Sequence, residues 1–153
     1  MAVLSVSSTR DLQTDTAGQW IAKRAGKEGH QVVGHQVVDD DRDAIREALL
    51  HLLADAAPQA VIVTGGTGIT PKDVTIEAVR PLFTKEMTAF GPIFAQLSFE
   101  EIDSAAILSR ATAGVIGDCI VFCIPGSLKA CQLACKALIY PELGHACGHV
   151  GAH

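Results

Sequence analysis

Three glycines follow a short apolar run near the middle of the chain, and an aspartate comes soon after them. The run Ala60–Thr64 leads into a turn made of Gly65, Gly66, Thr67 and Gly68. Because glycine has no Cβ, backbone N–H groups in such a turn can converge on one point, and this arrangement binds phosphate when a helix follows. The carboxylate of Asp73 could hold the Mg²⁺ that accompanies a nucleotide. The pattern predicts an anion site with a metal ligand beside it.

The glycine turn matches neither of two common nucleotide-binding motifs. A P-loop requires Gly-Lys-Ser/Thr at its end, whereas Lys72 is followed by Asp73. A dinucleotide-binding motif requires a glycine where this chain has Pro71. On its composition alone, the turn could be a tight connection between a strand and a helix.

Two other segments have residue types that suit anionic ligands. Ser127 in Pro125-Gly126-Ser127 precedes a helical pattern, so it is a natural N-cap and the adjoining N–H groups form a second anion site. Arg110, after Ser109, could set its guanidinium beside a substrate phosphate, where the planar fork binds two oxygens. Capping alone and an ordinary surface arginine are the alternatives at these two positions.

An acidic triplet, Asp39-Asp40-Asp41, opens the longest helical pattern of the chain. Acidic residues in a first helical turn interact favourably with the helix dipole, so the triplet could serve only as a cap. It also follows a strand, which would place it near the carboxyl edge of a sheet, where ligands bind in open α/β folds. We choose Asp40 as a second magnesium ligand, with Asp39 and Asp41 as the alternatives within the triplet.

These motifs, in this order, resemble the MoaB/MogA-type molybdopterin adenylyltransferase family of molybdenum cofactor biosynthesis, and most closely its MoaB branch. The resemblance runs from about Val3 to Leu143. It is carried by the segment from Gly65 to Ala78, then by Phe99-Glu100-Glu101-Ile102, Ser109-Arg110-Ala111, Pro125-Gly126-Ser127 and Lys129-Ala130. Family members adenylylate molybdopterin with Mg·ATP and release pyrophosphate.

The resemblance implies a set of functional residues. Asp73 and Asp40 are expected to be catalytic and to bind Mg²⁺. The residues expected to bind substrate or phosphate are Gly65, Gly66, Thr67, Gly68, Ser109, Arg110, Pro125, Gly126, Ser127, Lys129, Glu100, Arg10 and Asp15. ATP is the implied co-substrate and molybdopterin the substrate. A homotrimer or hexamer and a molybdenum-insertion protein are the implied partners.

Two positions depart from the family pattern in the first loop. Ser8 stands where family members usually have an aspartate, and Ala17 stands where they usually have a serine. A non-catalytic molybdopterin-binding or carrier protein of the same fold is therefore the alternative function.

Composition restricts the class of protein further. The chain has 153 residues, which suits one domain, and a formal net charge of −5, which argues against nucleic acid or an anionic membrane as partner. No signal peptide or membrane-spanning run is visible. Five cysteines without a secretory signal are typical of reduced thiols, so we predict a cytoplasmic protein.

Apolar spacing predicts an α/β fold, a three-layer α/β/α sandwich around a mostly parallel sheet with one antiparallel strand. Strands are predicted over 2–7, 31–38, 60–64, 113–116 and 119–124, with a hairpin at Gly117-Asp118. Helices are predicted over 16–27, from 39, and over 75–82, 92–102, 104–110 and 128–139. Tyr140-Pro141 is expected to interrupt the last helix. We predict one molybdopterin-binding domain over 1–153, with 144–153 as a flexible tail.

Two groups of residues have more than one interpretation. Cysteines and histidines near the end of the chain could hold zinc or lie in the core and in a mobile tail: Cys131, Cys135, His145, Cys147, His149 and His153. Four phenylalanines could form a contact between subunits or belong to the core of one subunit: Phe83, Phe90, Phe94 and Phe99.

Overall fold

The computed structural model describes residues 1–152 and is built on one six-stranded sheet. The strands are β1 (Ala2–Val6), β2 (Gly34–Val38), β3 (Ala60–Thr64), β4 (Lys85–Glu86), β5 (Thr112–Ile116) and β6 (Cys119–Ile124). Their order across the sheet is β2-β1-β3-β6-β5-β4. Strands β2, β1, β3 and β6 are mutually parallel, and β5 runs antiparallel to both of its neighbours. The predicted mostly parallel sheet is confirmed.

Six α-helices cover the two faces of this sheet within the described residues. They are α1 (Thr16–Lys27), α2 (Arg42–Ala56), α3 (Thr75–Val79), α4 (Phe90–Ile102), α5 (Leu128–Ala134) and α6 (Tyr140–Val150). Apolar residues of α2 and α3 pack on one face of the sheet. Those of α1, α4, α5 and α6 pack on the other face. The structure is thus the predicted three-layer α/β/α sandwich.

The central strand β3 shows why the sheet must be covered on both sides. All five of its residues are buried. Ile62 faces the layer that contains α1, while Val61 and Val63 face the layer that contains α2. Alternate residues of a strand point to opposite faces, so a continuous apolar run specifies a strand buried between two layers of helices.

Most predicted boundaries are close to the observed ones. Helix α1 and strands β3 and β6 have the predicted bounds, and Gly117, with φ 57°, forms the predicted hairpin turn. Strand β2 begins at Gly34 rather than at 31. Residues 80–82 and 103–108 are 3₁₀ turns that continue from α3 and α4, whereas β4 was not predicted because it is only two residues long.

The predicted interruption at Tyr140-Pro141 is wrong. Residues 128–150 are helical throughout, with a π turn at Cys135–Ile139 between α5 and α6. Proline lacks an N–H and collides with the carbonyl four residues earlier in a regular α-helix. The wider π turn places Pro141 in the first turn of α6, where no N–H is required. The segment 144–150, predicted as part of a flexible tail, therefore belongs to a helix.

The phenylalanines divide between the core and the surface. Phe90 and Phe94 are buried in the core beneath α4, and the ring of Phe90 packs against Phe122 of β6. Phe83 is half-buried, and Phe99 is 55% exposed. The interpretation as core residues is therefore confirmed for Phe90 and Phe94.

Candidate functional site

A cavity of about 420 Å³ opens at the carboxyl ends of strands β1, β3 and β6. Three connections form it, because each of these parallel strands ends at the same edge of the sheet. Its lining consists of Val6, Ser7, Thr9, Arg10, Asp40, Gly65, Gly66, Thr67, Gly68, Asp73, Leu108, Ser109, Pro125, Gly126 and Ser127. Most of the residues predicted to bind substrate or metal are thus brought together.

The glycine loop, residues 65–68, needs glycine for both conformation and space. Gly65 and Gly66 have φ values of 101° and 65°, which residues with a Cβ rarely adopt. A Cβ on Gly65 would lie 2.4 Å from the carbonyl oxygen of Val6, and one on Gly66 would lie 2.4 Å from Thr75 Oγ1. Thr75 itself donates a hydrogen bond of 2.8 Å to the Gly65 carbonyl. The loop is therefore held against the end of β1 and the start of α3.

The turn after β6 packs directly on the glycine loop. A Cβ on Gly126 would lie 3.1 Å from Gly65 Cα, and the Gly65 N–H donates to the Ile124 carbonyl at 3.0 Å. Ser127 caps α5 by accepting from the Ala130 N–H at 3.2 Å. The capping prediction for Ser127 is confirmed, and Ser127 also lines the cavity.

The Asp73 carboxylate folds back onto the glycine loop instead of capping α3. One of its oxygens accepts hydrogen bonds from the Thr70 N–H and hydroxyl at 2.9 and 2.7 Å. The N-cap residue of α3 is Val74, with no side-chain hydrogen bond, so Asp73 does not cap this helix. Burial acts to raise the pKa of Asp73, but the bonds from Thr70 and the Gly68 N–H outweigh it and lower the pKa. The carboxylate therefore stays ionised at neutral pH, as a metal ligand must.

Two aspartates of the acidic triplet have different roles, one as a helix cap and the other in the cavity lining. Asp41 is the N-cap of α2 and accepts from the Ala44 N–H at 2.8 Å. Asp40 instead lines the cavity, and its Oδ1 lies 3.5 Å from the position of a Cβ on Gly66. Its Oδ2 accepts hydrogen bonds from the Ser8 N–H and hydroxyl at 2.9 and 3.0 Å. Ser8 thus holds one oxygen of Asp40, while the other faces the glycine loop.

Arg110 lies behind the glycine loop rather than in the cavity. Its Nε donates to the carbonyl oxygens of Thr67 and Gly68 at 3.2 and 3.0 Å, and its terminal nitrogens bond Glu77. This placement differs from the predicted one beside a substrate phosphate. The C=O and N–H of a trans peptide point in opposite directions, so carbonyls turned toward Arg110 turn the next N–H groups away from it. Arg110 is therefore placed to hold the end of the glycine loop, including the peptide whose Gly68 N–H bonds Asp73.

Three other predicted residues also lie outside the cavity lining. Asp15 is 3% exposed and caps α1 through the Gly18 N–H, and its other oxygen lies 2.8 Å from His35 Nε2. Glu100 is exposed on α4. Lys129 borders a separate cavity of about 440 Å³ between α4 and α5. Asp15 lies outside the cavity lining because it is buried, and Glu100 and Lys129 do so because they lie on the surfaces of α4 and α5.

The two departures from the family pattern occupy different places. Ser8 contacts the cavity residue Asp40 directly. Ala17 is 1% exposed in the core beneath α1 and lies outside the cavity lining. Of the two, only Ser8 is placed to alter the chemistry of the site.

Charge in the cavity is mixed. Within the described residues, its lining has two carboxylates, Asp40 and Asp73, and one basic side chain, Arg10. A polyphosphate in this cavity would face more negative than positive side-chain charge, so a bound cation is required to balance it. Oxygen ligands from two carboxylates are the donor set that Mg²⁺ prefers, and the residues present therefore fit this ion.

A second cavity, of about 670 Å³, shares Ser7 and Arg10 with the first. Its other side is lined by His35 and Gln36 of β2 and by Asp39, which follows that strand. The two cavities together can hold a ligand larger than one phosphate group, and Arg10 stands where they meet. The resemblance implied that Arg10 binds substrate or phosphate, and Arg10 lines both cavities.

The cysteine and histidine cluster that a zinc site requires does not form within the described residues. No group of three or more His, Cys, Asp or Glu side chains converges in residues 1–152. Burial raises the pKa of Cys131 to about 11 and that of Cys135 to about 12, which keeps both thiols protonated in the core. Cys147 lies elsewhere, with its Sγ 3.7 Å from the Gln59 carbonyl. His153 lies outside the described residues.

Sequence reasoning missed several residues that shape the site. Thr70 and Ser8 orient the two carboxylates, Thr75 fixes the Gly65 carbonyl, and Glu77 pairs with Arg110. Only the contact of Thr70 is local, since its partner Asp73 is three residues away, and aspartate side chains commonly bond nearby backbone in loops. That tendency could have identified Thr70, whereas the partners of Ser8 and Thr75 lie farther along the chain.

Comparisons with known proteins agree with this geometry. Residues 2–145 match the family described as the probable molybdopterin binding domain. Molybdenum cofactor biosynthesis protein B of Bacillus subtilis (strain 168) is 47% identical over 144 residues, which cover 94% of this chain and 85% of that protein. A crystal structure of a molybdenum cofactor biosynthesis protein B superposes with a TM-score of 0.94 at 42% identity, covering 97% of this chain and 93% of the other. The tungsten cofactor synthesizing protein MoaB from Pyrococcus furiosus gives 0.88 at 34%, covering 99% and 96%.

Proposed function

This chain belongs to the probable molybdopterin binding domain family, and we propose that it acts in molybdenum cofactor biosynthesis as an Mg·ATP-dependent molybdopterin adenylyltransferase. The proposed products are adenylyl-molybdopterin and pyrophosphate. The observation that carries the proposal is the cavity at the carboxyl end of the sheet, where two ionisable carboxylates flank a glycine loop. Similarity to molybdenum cofactor biosynthesis proteins supports a role in that pathway. The carboxylates, the arginine and the backbone N–H groups of the cavity support the proposed reaction.

The proposed reaction joins two anionic molecules. A phosphate oxygen of molybdopterin attacks the α-phosphorus of ATP and forms a new P–O bond. The bond from that phosphorus to the bridging oxygen of the β-phosphate breaks, and pyrophosphate leaves with the electron pair. Repulsion between the reactants is the main obstacle, so positioning and charge neutralisation supply most of the catalysis.

The chain's own residues would divide these tasks. The N–H groups of Gly66 and Thr67 and the guanidinium of Arg10 would bind phosphate oxygens. Asp40 and Asp73 would hold Mg²⁺, which when bound neutralises phosphate charge and stabilises the leaving pyrophosphate. Arg110 would keep the glycine loop in its binding conformation through the Thr67 and Gly68 carbonyls.

A non-catalytic molybdopterin-binding or carrier protein is the second candidate function. The observation that favours it is Ser8, whose N–H and hydroxyl donate hydrogen bonds to Asp40 Oδ2. Family members usually have an aspartate at the position of Ser8, so this chain has one carboxylate fewer near Asp40. A site with fewer carboxylates binds Mg²⁺ less tightly. Such a protein would still bind the pterin through the glycine loop and residues 125–127.

Incubation of the purified protein with ATP, Mg²⁺ and molybdopterin tests the proposal. Formation of adenylyl-molybdopterin with an equal amount of pyrophosphate supports the enzyme. Pterin binding without turnover at saturating Mg·ATP supports the carrier, and the absence of both overturns the two proposals together. Asp55→Asn, an exposed residue near the end of α2, is a suitable control for variants of Asp73.

Self-association is part of the proposal. Apolar side chains are exposed along α4 and the 3₁₀ turn after it, including Phe99 at 55%, Ile102 at 48% and Ile107 at 79%. Patches of this kind mark contacts between proteins. A homotrimer or hexamer would cover them, and light scattering that finds a stable monomer would remove this part of the proposal.

Location and further partners are predictions as well. None of the helices described over residues 1–152 combines the length and the apolar composition that a membrane-spanning helix needs. We propose a cytoplasmic protein that passes its product to a molybdenum-insertion protein. Separation of cell extract into membrane and cytosolic fractions, followed by detection of the chain, checks the location.

A further inference from the structure

Two histidines face each other on the exposed side of α6, away from the candidate site. His145 and His149 are one turn apart, and their Nε2 atoms lie 2.9 Å from each other. Their ring centroids are 4.6 Å apart. This part of α6 borders the amino end of the sheet, since Gly144 and Gly148 line a cavity there with Met1.

A carboxylate on the same helix orients the first of these rings. Glu142 Oε2 lies 3.2 Å from His145 Nδ1, so in the neutral ring Nδ1 is the donor and Nε2 carries the free lone pair. Carboxylates bonded to the distal nitrogen in this way orient the histidines that bind metals and make them more basic. The lone pair of His145 Nε2 is thereby directed toward His149.

The 2.9 Å contact is a hydrogen bond in which one Nε2 donates to the other. A cation bound by both nitrogens can replace the shared proton, which then moves to His149 Nδ1. We propose that His145 and His149 form a two-imidazole site for one divalent transition-metal ion, with Glu142 as the residue that orients His145. Because no third His, Cys, Asp or Glu converges here within residues 1–152, water completes the coordination.

The spacing of the nitrogens selects among metals. With metal–nitrogen bonds of roughly 2.0–2.1 Å, adjacent ligands at a right angle stand about 2.9 Å apart, whereas tetrahedral ligands stand about 3.4 Å apart. Right-angle coordination is the preference of Cu²⁺ and Ni²⁺, and tetrahedral coordination is that of Zn²⁺. The site therefore favours Cu²⁺ and Ni²⁺ over Zn²⁺, in agreement with the general order of affinity for nitrogen ligands.

Titration calorimetry of the tag-free full chain with CuCl₂, NiCl₂ and ZnCl₂ tests the site. We expect one Ni²⁺ ion per chain, and His149→Ala and His145→Ala should each weaken Ni²⁺ binding by at least about tenfold, since the second ligand of a chelate acts at high effective concentration. Glu142→Gln should weaken it by less. His51→Ala, an exposed histidine on α2, should bind as the parent does, and so should His153→Ala.

The outcomes separate this site from other histidines. Equal Ni²⁺ affinity in His149→Ala and the parent overturns the proposal. A loss in His153→Ala without a loss in His149→Ala overturns it too, because the ion would then bind at the chain terminus. Electron paramagnetic resonance of the Cu²⁺ complex supplies a second readout, since splitting from two equivalent nitrogens is expected in the parent and from one in His149→Ala.

Discussion

The two ends of the central sheet carry cavities of similar size but different chemistry. The cavity at the carboxyl end, about 420 Å³, has two carboxylates, an arginine and the glycine loop in its lining. The cavity at the amino end, about 510 Å³, has no Asp, Glu, Lys or Arg side chain in its lining. The larger of these two cavities thus has fewer charged side chains that could bind an anion or a metal. Between these two cavities, volume does not identify the end that carries the charged side chains.

Chain direction explains this difference. In parallel β-α units each strand ends where the next helix begins, so the carboxyl end collects the N–H groups of helix N-termini. The amino end collects helix C-termini instead. Helix α2 ends there at Ala56, with Ala57 as its C-cap at φ 42°, and α1 is followed by Gly29, with φ 87°. Anions are therefore favoured at one end of the sheet by topology, before any side chain is considered.

Substitution of one glycine at each end gives the largest expected difference. Gly66→Ala should destabilise the protein by about 1–2 kcal/mol from its positive φ and by roughly 1–3 kcal/mol more from the contact with Thr75. Gly29→Ala should cost only the first amount, because nothing lies within 4 Å of its Cβ position. Urea denaturation measures both. Equal losses would show that the glycine loop is no more crowded than an ordinary helix end.

Removal of one charge from the carboxyl end should abolish most activity. Asp73→Asn keeps an oxygen that can accept from Thr70, so stability should change little, whereas adenylyl transfer should fall at least about a hundredfold, a barrier change of roughly 2.7 kcal/mol. The matched change Asp55→Asn near the amino end should leave the rate unchanged. Lost stability with normal turnover per folded molecule would make Asp73 a purely structural residue.

Two arginine–glutamate pairs allow a similar comparison. Arg110→Ala should weaken ATP affinity by roughly 1.5–3 kcal/mol, the scale of hydrogen bonds to charged groups, because the loop carbonyls lose their donor. Arg80→Ala removes another such pair, with Glu86 at 2.9 Å, and should leave affinity unchanged. Arg110→Lys restores the charge but not the fork, so a partial recovery is expected. Isothermal titration with Mg·ATP is the measurement, and full affinity in Arg110→Ala would contradict the positioning role.

Modification of a cysteine at the amino end should have the smallest effect. Burial raises the pKa values of Cys119 and Cys123 to about 12, so these thiols should resist iodoacetamide. Cys147 is half-buried beside the amino-end cavity and should react first, with adenylyl transfer unchanged. Mass spectrometry gives the extent of reaction, and Cys147→Ser is the unreactive control. A loss of activity in proportion to modification would mean that the two ends are coupled.

The sequence predicted the layers and the location of the site because both follow from local patterns. The apolar run Ala60–Thr64 specified a buried strand, and the glycines after it specified the loop. Asp40 and Asp73 could be chosen because each follows a strand whose carboxyl end faces the same edge of the sheet. Chain order and alternation of elements contain this information.

Side-chain direction was harder to predict than position. Arg110 and Asp15 both lie near the site in sequence, yet one points at the back of the loop and the other into the protein. Their partners Glu77 and His35 come from other elements, and no local pattern reveals such contacts. The continuation of the helix through Pro141 was missed for a related reason, since a π turn leaves no compositional mark.

The π turn between α5 and α6 also works as a register shift. A helix advances by about 100° per residue, so the one extra residue in the wider turn rotates everything after it by that angle. Tyr140 and Leu143 are buried as a result, and the Tyr140 hydroxyl reaches the Ile21 carbonyl at 2.8 Å. Deletion of one residue within 135–139 would restore an ordinary helix but turn Tyr140 and Leu143 away from the core. The one extra residue of the π turn therefore determines which face of the last three helical turns the protein can bury.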